Sequence, residues 1–213
     1  MDIQTVFFDM DGVVIDSEML HLRALGLTLE MRGISYDKDI LDDFVGRSDR
    51  SFFQYVYQHL DDRIDIEDFL KEKDIHFGNL ISELQFVEGF PEFMRAVKEA
   101  KLQTALVTSS TSQTVRKVDA VLHFTQLFDL VITADDTVTH KPNPEPYLLA
   151  LERTKADEER TIVIEDSTYG VIAGKAAGCF VCGLTTSFDA SSLQSAGADM
   201  VVDHYRDLQL FLQ

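Results

Sequence analysis

The run Val6-Phe7-Phe8-Asp9-Met10-Asp11-Gly12-Val13-Val14 constrains this chain more than any other stretch. An apolar segment stops abruptly in two carboxylates one residue apart, followed by a glycine. Val6 to Phe8 reads as a strand buried on both faces, β-branched and aromatic with no polar side, which is the pattern of a parallel sheet. Open α/β sheets carry their chemistry at the carboxyl ends of such strands. Gly12 permits a sharp turn that lets Asp11 swing back beside Asp9. Two like charges that close repel, and a divalent metal is the simplest means of keeping both ionised. Asp and Gly also follow strands as ordinary solvated turn residues, so the motif gains weight only from what comes after it.

What comes next is helical. Leu22, Leu25 and Leu29 form an amphipathic run with Ser17 near its start and Gly33 just past its end. Apolar residues recur near a period of 3.6 at Ile40, Leu41, Phe44 and Val45, then at Phe52, Phe53, Val56, Tyr57 and Leu60, then at Phe69, Phe77, Leu80, Ile81 and Leu84. From Gly89-Phe90-Pro91 onward the pattern changes to helices alternating with short apolar strands at 104–107, 128–132, 162–164, 180–184 and 200–202. Such alternation implies a parallel sheet with right-handed crossovers. The expected fold is α/β: a Rossmann-like parallel-sheet core from residues 1–16 and 88–213, with an all-helical cap domain, 17–87, inserted after the first strand.

Charge and composition narrow the partners. Nineteen Lys and Arg face 37 Asp and Glu, for a formal charge of −18. That balance argues against a nucleic-acid or anionic-membrane surface, and it requires any phosphate-bearing substrate to be drawn in by a local cation. No apolar run approaches the roughly 20 residues that cross a bilayer, and no basic-then-apolar export segment is visible. The expectation is a soluble, cytoplasmic monomer. Cys179 and Cys182 form a C-x-x-C without a second ligand pair for zinc, and they read as small apolar residues of a buried strand.

Four polar clusters follow apolar strands, three of them directly and the one at 140–144 after a short loop. Asp9 and Asp11 are the first. Thr108-Ser109, hydroxyls and backbone donors at an expected helix start, are a natural phosphate cradle. The prolines of His140-Lys141-Pro142-Asn143-Pro144 stiffen a loop that presents Lys141. Glu165-Asp166 is the fourth. Plainer readings exist: Thr108 to Thr111 and Glu165-Asp166 as helix caps, Lys141 as a solvated lysine. No cysteine stands at these sites and no serine has the glycines of a nucleophile elbow, so a carboxylate is the available nucleophile. Its attack on phosphorus needs the phosphoryl charge masked. Mg²⁺ held by Asp9 and Asp166 would do so, with Lys141 and the Thr108 hydroxyl on the remaining oxygens. Asp11 would protonate the leaving oxygen and then deprotonate water.

With Asp9-x-Asp11-Gly12, Thr108-Ser109, Lys141-Pro142 and Glu165-Asp166 in this order, the chain resembles the haloacid dehalogenase superfamily. The likeness is to its helical-cap branch, which includes β-phosphoglucomutase and related sugar-phosphate phosphatases. The resemblance implies Asp9 as nucleophile, Asp11 as general acid/base, and Thr108 and Lys141 on the transferring phosphate beside Ser109. It implies Mg²⁺ on Asp9, the Asp11 carbonyl and Asp166, with Glu165 supporting the metal shell. Dehalogenases of this type lack the second aspartate, so Asp11 favours phosphate chemistry. In the cap, His21 and Arg23 match mutase residue types, the histidine there supporting the acid/base aspartate. Gly46-Arg47-Ser48 resembles the substrate-recognition loop, and Lys73 lies near a further cap lysine. Asp49 stands where the mutase pattern has an arginine, and it would repel a second phosphate. The expected activity is therefore a Mg²⁺-dependent phosphomonoesterase acting on a small phosphorylated metabolite, a sugar phosphate, through an aspartyl-phosphate. A mutase is the second reading. A phosphonate hydrolase with a Schiff-base lysine, and a silent binding module, complete the set.

Overall fold

The computed structural model describes residues 2–44 and 49–208. In chain order the strands are β1 (Thr5–Phe8), β2 (Ile15–Asp16), β3 (Gln85–Phe86), β4 (Gln103–Val107), β5 (Leu130–Ile132), β6 (Thr161–Glu165), β7 (Phe180–Leu184) and β8 (Met200–Val202). The helices are α1 (Glu18–Met31), α2 (Asp49–His59), α3 (Ile66–Leu80), α4 (Phe90–Glu99), α5 (Ser112–Leu122), α6 (Glu145–Thr154), α7 (Thr168–Ala176), α8 (Ala190–Ser195) and α9 (Tyr205–Leu208). The chain divides into two units, Met1–Asp16 with Gln85–Gln213, and Ser17–Leu84.

In the first unit, β1 lies at the centre of a parallel sheet of order β5-β4-β1-β6-β7-β8. Phe8 stands opposite Leu106 on one neighbour and Ile164 on the other. Successive side chains of a strand point to opposite faces, and β1 uses both. Phe7 joins a cluster with Val107, Ile132, Tyr147, Val163 and Val181. Phe8 meets the rings of Phe90, Phe93 and Phe128 at 5.8, 6.2 and 5.6 Å. A polar residue at Phe7 or Phe8 would lose one of these contacts. The chain passes from β1 to β4 and β5 on one side, then crosses to β6, β7 and β8 on the other. That reversal opens the crevice in which sheets of this kind bind ligands.

Two local features differ from the sequence reading. Gln85 and Phe86, within the stretch read as helical, pair antiparallel with Asp16 and Ile15. The two crossings between units thus satisfy each other's backbone groups as a two-stranded ribbon. The segment Lys38–Phe44 is a 3-10 turn rather than an α-helix. Its first turn is held by an Asp37 carboxylate that accepts from the Asp39 amide at 3.2 Å, a local bond that competes with the helical ladder. Val45 lies outside the described residues. The short helices α8 and α9 were not apparent from periodicity, being too brief to show one.

Both cysteines are free and buried, and burial pushes each thiol up to about 12, as expected of apolar core positions. Among the described residues no helix is long and apolar enough to cross a membrane.

The helical unit has its own core of Leu22, Leu25, Leu29, Phe44, Phe52, Val56, Ile64 and Phe69. Phe69 is fully buried, with the rings of Phe52 and Phe53 6.4 and 6.0 Å away and the Arg32 guanidinium 5.8 Å above it. Truncation would remove contacts that no neighbour can refill. We therefore expect Phe69→Ala to cost about 3–5 kcal/mol in urea denaturation. A loss below about 1 kcal/mol would show that this core is not the one that holds the unit together.

Candidate active site

The carboxyl ends of β1, β4 and β6 and the loop after β5 bring their polar residues together inside the first unit. Asp9 follows β1 directly, its amide bonded to the Ile164 carbonyl at 3.1 Å, so the neighbouring strand fixes where the carboxylate begins. Gly12 then turns at φ +70°, and the amides of Val14 and Ile15 bond back to the Met10 carbonyl at 2.8 and 3.0 Å. This is the tight turn expected of that glycine. Lys141 reaches in from its loop with its side chain 5% exposed. Its ammonium donates to Asp9 Oδ1 at 2.6 Å, Glu165 Oε1 at 2.6 Å and the Val107 carbonyl at 2.9 Å. Three acceptors use all three ammonium protons. Asp9, Glu165 and Asp166 each offer an oxygen, and these oxygens lie within 4.8 Å of one another.

The plainer capping reading holds at Thr111 and fails at Thr108 and at Glu165-Asp166. The N-cap of α5 is Thr111, which accepts from the Thr114 amide, so Thr108-Ser109 does not stand at the helix start. Thr108 is buried and its hydroxyl accepts from the Ser110 amide at 3.0 Å, while Ser109 is exposed beside it. Ser167, not Glu165 or Asp166, caps α7 by accepting from the Gly170 amide. Lys141 is not a solvated lysine.

Glu165 is fully buried and engaged on both oxygens. Lys141 and the Tyr147 hydroxyl donate to Oε1, the latter at 2.7 Å, and the Ser167 hydroxyl donates to Oε2 at 3.0 Å. A Cβ on Gly170 would stand 1.8 Å from this carboxyl, so only glycine leaves it room. Asp11 accepts from the Ser110 hydroxyl at 3.3 Å. Its carboxylate is outside the three-carboxylate cluster, whereas the resemblance assigns its carbonyl to the metal.

Burial and crowding shape the charges. Burial pushes Asp9 up to about 7 against the pull of Lys141. Asp166 is raised well above the usual carboxylate range by burial and by the charges of Asp9 and Glu165. Burial acts to lower Lys141, but Asp9 and Glu165 outweigh it and hold the ammonium above its ordinary range. Two buried carboxylates and a largely covered third, against one buried ammonium, leave more acidic groups than one cation can pair. A hard divalent cation with oxygen ligands fits that donor set.

His21 belongs to the helical unit. It is not on a solvated face: its ring stacks on Phe77 at 4.1 Å, and its Nδ1 lies 2.7 Å from Nζ of the buried Lys73. Arg23 is exposed and pairs with Glu83 through its two terminal guanidinium nitrogens, at 2.5 and 3.2 Å. Arg47 and its loop lie outside the described residues. The sequence reading missed Ser110, Tyr147, Thr186 and Ser187. The last two follow β7 directly, so the strand-end rule that found the other clusters also marks them. Tyr147 lies on the buried side of α6 among apolar neighbours, and a period cannot reveal a buried hydroxyl.

Residues 6–184 match the family model of haloacid dehalogenase-like hydrolases. The chain is 33% identical over 205 residues to a phosphorylated carbohydrates phosphatase of Thermotoga maritima, covering 93% of this chain and 94% of that protein. It is 30% identical over 196 residues to a validoxylamine A 7′-phosphate phosphatase of Streptomyces hygroscopicus subsp. limoneus, with 91% of each chain covered. Among solved structures, a candidate β-phosphoglucomutase from Thermotoga maritima superposes with a TM-score of 0.84 at 31% identity, covering 99% of this chain and 98% of that one. The chain thus belongs to the haloacid dehalogenase-like hydrolases, as an enzyme of their phosphatase branch.

Proposed function

We propose that this enzyme is a Mg²⁺-dependent phosphomonoesterase that hydrolyses a small sugar phosphate through an aspartyl-phosphate on Asp9. The observation that carries the reading is the buried Lys141 ammonium bridging Asp9 and Glu165, with Asp166 in the same cluster. A phosphoryl group arriving beside Asp9 finds a cation that cannot swing away. The names of the phosphatase relatives support a phosphorylated carbohydrate-like substrate.

Mg²⁺ would be held by Asp9, Asp166 and the Asp11 carbonyl, with Glu165 behind them, and when bound it masks the charge of the phosphoryl oxygens. Asp9 attacks phosphorus, forming the acyl-phosphate bond as the ester P–O bond breaks. Asp11 gives its proton to the departing alcohol oxygen and then takes one from the water that attacks the same phosphorus. Phosphate leaves and the Asp9 carboxylate is restored. Thr108 holds a phosphoryl oxygen, Lys141 takes up another by exchanging one of its three present acceptors for it, and Ser110 orients Asp11.

A mutase is the second reading, favoured by the likeness to the candidate β-phosphoglucomutase. Asp49 at the position of the expected arginine weighs against it. With Mg²⁺ and a panel of sugar phosphates, wild-type protein is expected to release inorganic phosphate, and Asp9→Asn to lose at least about 10³-fold in kcat. Conversion of β-glucose 1-phosphate to the 6-phosphate with little free phosphate would replace this reading with the mutase.

The raised Asp9 predicts a pH signature in metal-free protein. Its ordinary value is 3.8 and its folded value about 7, so across that window the folded chain keeps a proton the unfolded chain has lost. Metal-free stability therefore falls as pH rises through the window and levels off above it. Melting temperatures should show this slope in wild type and a shallower one in Asp9→Asn, and Mg²⁺ should stabilise more at pH 8 than at pH 5. Equal slopes in the two proteins would contradict the assignment.

A further inference from the structure

The loop after β7 fastens two parts of the site that lie far apart in sequence. Among the described residues, side-chain donors reach the buried Asp166 carboxylate only at Oδ2: the Ser187 hydroxyl, and more distantly the Thr186 hydroxyl at 3.4 Å. Thr186 Oγ1 is also 2.5 Å from the Gly12 carbonyl. A hydroxyl has one proton, and that of Thr186 goes to the nearer acceptor, which makes Ser187 the principal donor to Asp166. Gly12 supplies the room: a Cβ there would stand 1.8 Å from Asp166 Oδ2 and 2.9 Å from Ser187 Oγ. The carboxylate and the hydroxyl thus fill the space of a missing side chain, and Asp166 has one seat.

We propose that Ser187 is a positioning residue that ties down Asp166 Oδ2, leaves Oδ1 for a divalent cation, and so sets the metal affinity of the site, with Thr186 locking the same loop to the Gly12 turn. The proposal rests on the reading of Asp166 as a cation ligand. Its physical basis is that a ligand carboxylate free to rotate loses orientation each time it binds. Partners behind metal ligands typically carry about 10–100-fold in affinity.

The test is isothermal titration of Mg²⁺ and of Mn²⁺ into full-length, metal-stripped protein, with no substrate present. Ser187→Ala should weaken binding by about 10–100-fold while the metal-free protein still unfolds cooperatively, its melting temperature lowered by only a few degrees. Ser187→Thr, which keeps the hydroxyl, should restore binding. Thr185→Val breaks the neighbouring bond from Thr185 Oγ1 to Asp203 Oδ1, at 2.6 Å, without touching Asp166. It should bind as wild type does. Wild-type affinity in Ser187→Ala, alongside lost binding in Asp166→Asn, would overturn the positioning role and leave the metal reading standing. A Thr185→Val as weak as Ser187→Ala would also overturn it, because general loosening of the loop would then explain both. Undiminished binding by Asp166→Asn would overturn this proposal together with the metal reading beneath it.

Discussion

One buried ammonium between the buried Glu165 and the largely covered Asp9 is the interaction on which the rest of this site depends. Lys141 sits 2.6 Å from both Asp9 and Glu165, and each of the three gives up hydration to be there. Removing one partner of such a group leaves a buried charge unpaired, at a typical cost of about 3–5 kcal/mol. The fold therefore has to deliver all three at once. It does so by ending β1 and β6 side by side and returning the loop after β5 across them. Tyr147, Ser167 and the bare Cα of Gly170 then fix Glu165, which fixes Lys141 in turn. Rigidity of this kind is what phosphoryl transfer asks of a protein, since positioning and electrostatics supply most of the catalysis.

The uncompensated charge ties stability to function. Asp9 and Asp166 are both held above the ordinary carboxylate range, chiefly by burial. A site tuned only for stability would have replaced one of them with a neutral residue. Keeping both is a cost that the proposed divalent cation would offset, and its charge would then act on the phosphoryl group.

Much of this was legible in the residues themselves. Val6 to Phe8 could only be an interior strand, and the alternation after Gly89 demanded parallel crossovers. Strand ends then picked out Asp9, Thr108 and Asp166, and the proline-stiffened loop after β5 picked out Lys141, without reference to space. What periodicity could not supply was the set of hydroxyls behind the carboxylates. Tyr147 looks like any apolar helix residue until its oxygen is seen on Glu165, and Ser187 needs the packing around Gly12 to acquire meaning. The 3-10 turn at Lys38–Phe44 was hidden for another reason: apolar spacing there suits an α-helix, while aspartate side chains bond to the local backbone instead. The ribbon of β2 and β3 is two residues a side, too short for any alternation to register.

The most direct measurement is a crystal structure with Mg²⁺ and beryllium trifluoride, a mimic of a phosphoryl group bound to carboxylate. The account predicts the adduct on Asp9, fluorines within hydrogen-bond reach of Lys141 Nζ and Thr108 Oγ1, and the metal between Asp9 and Asp166. An adduct on any other side chain, or a metal that leaves Asp166 untouched, would contradict it.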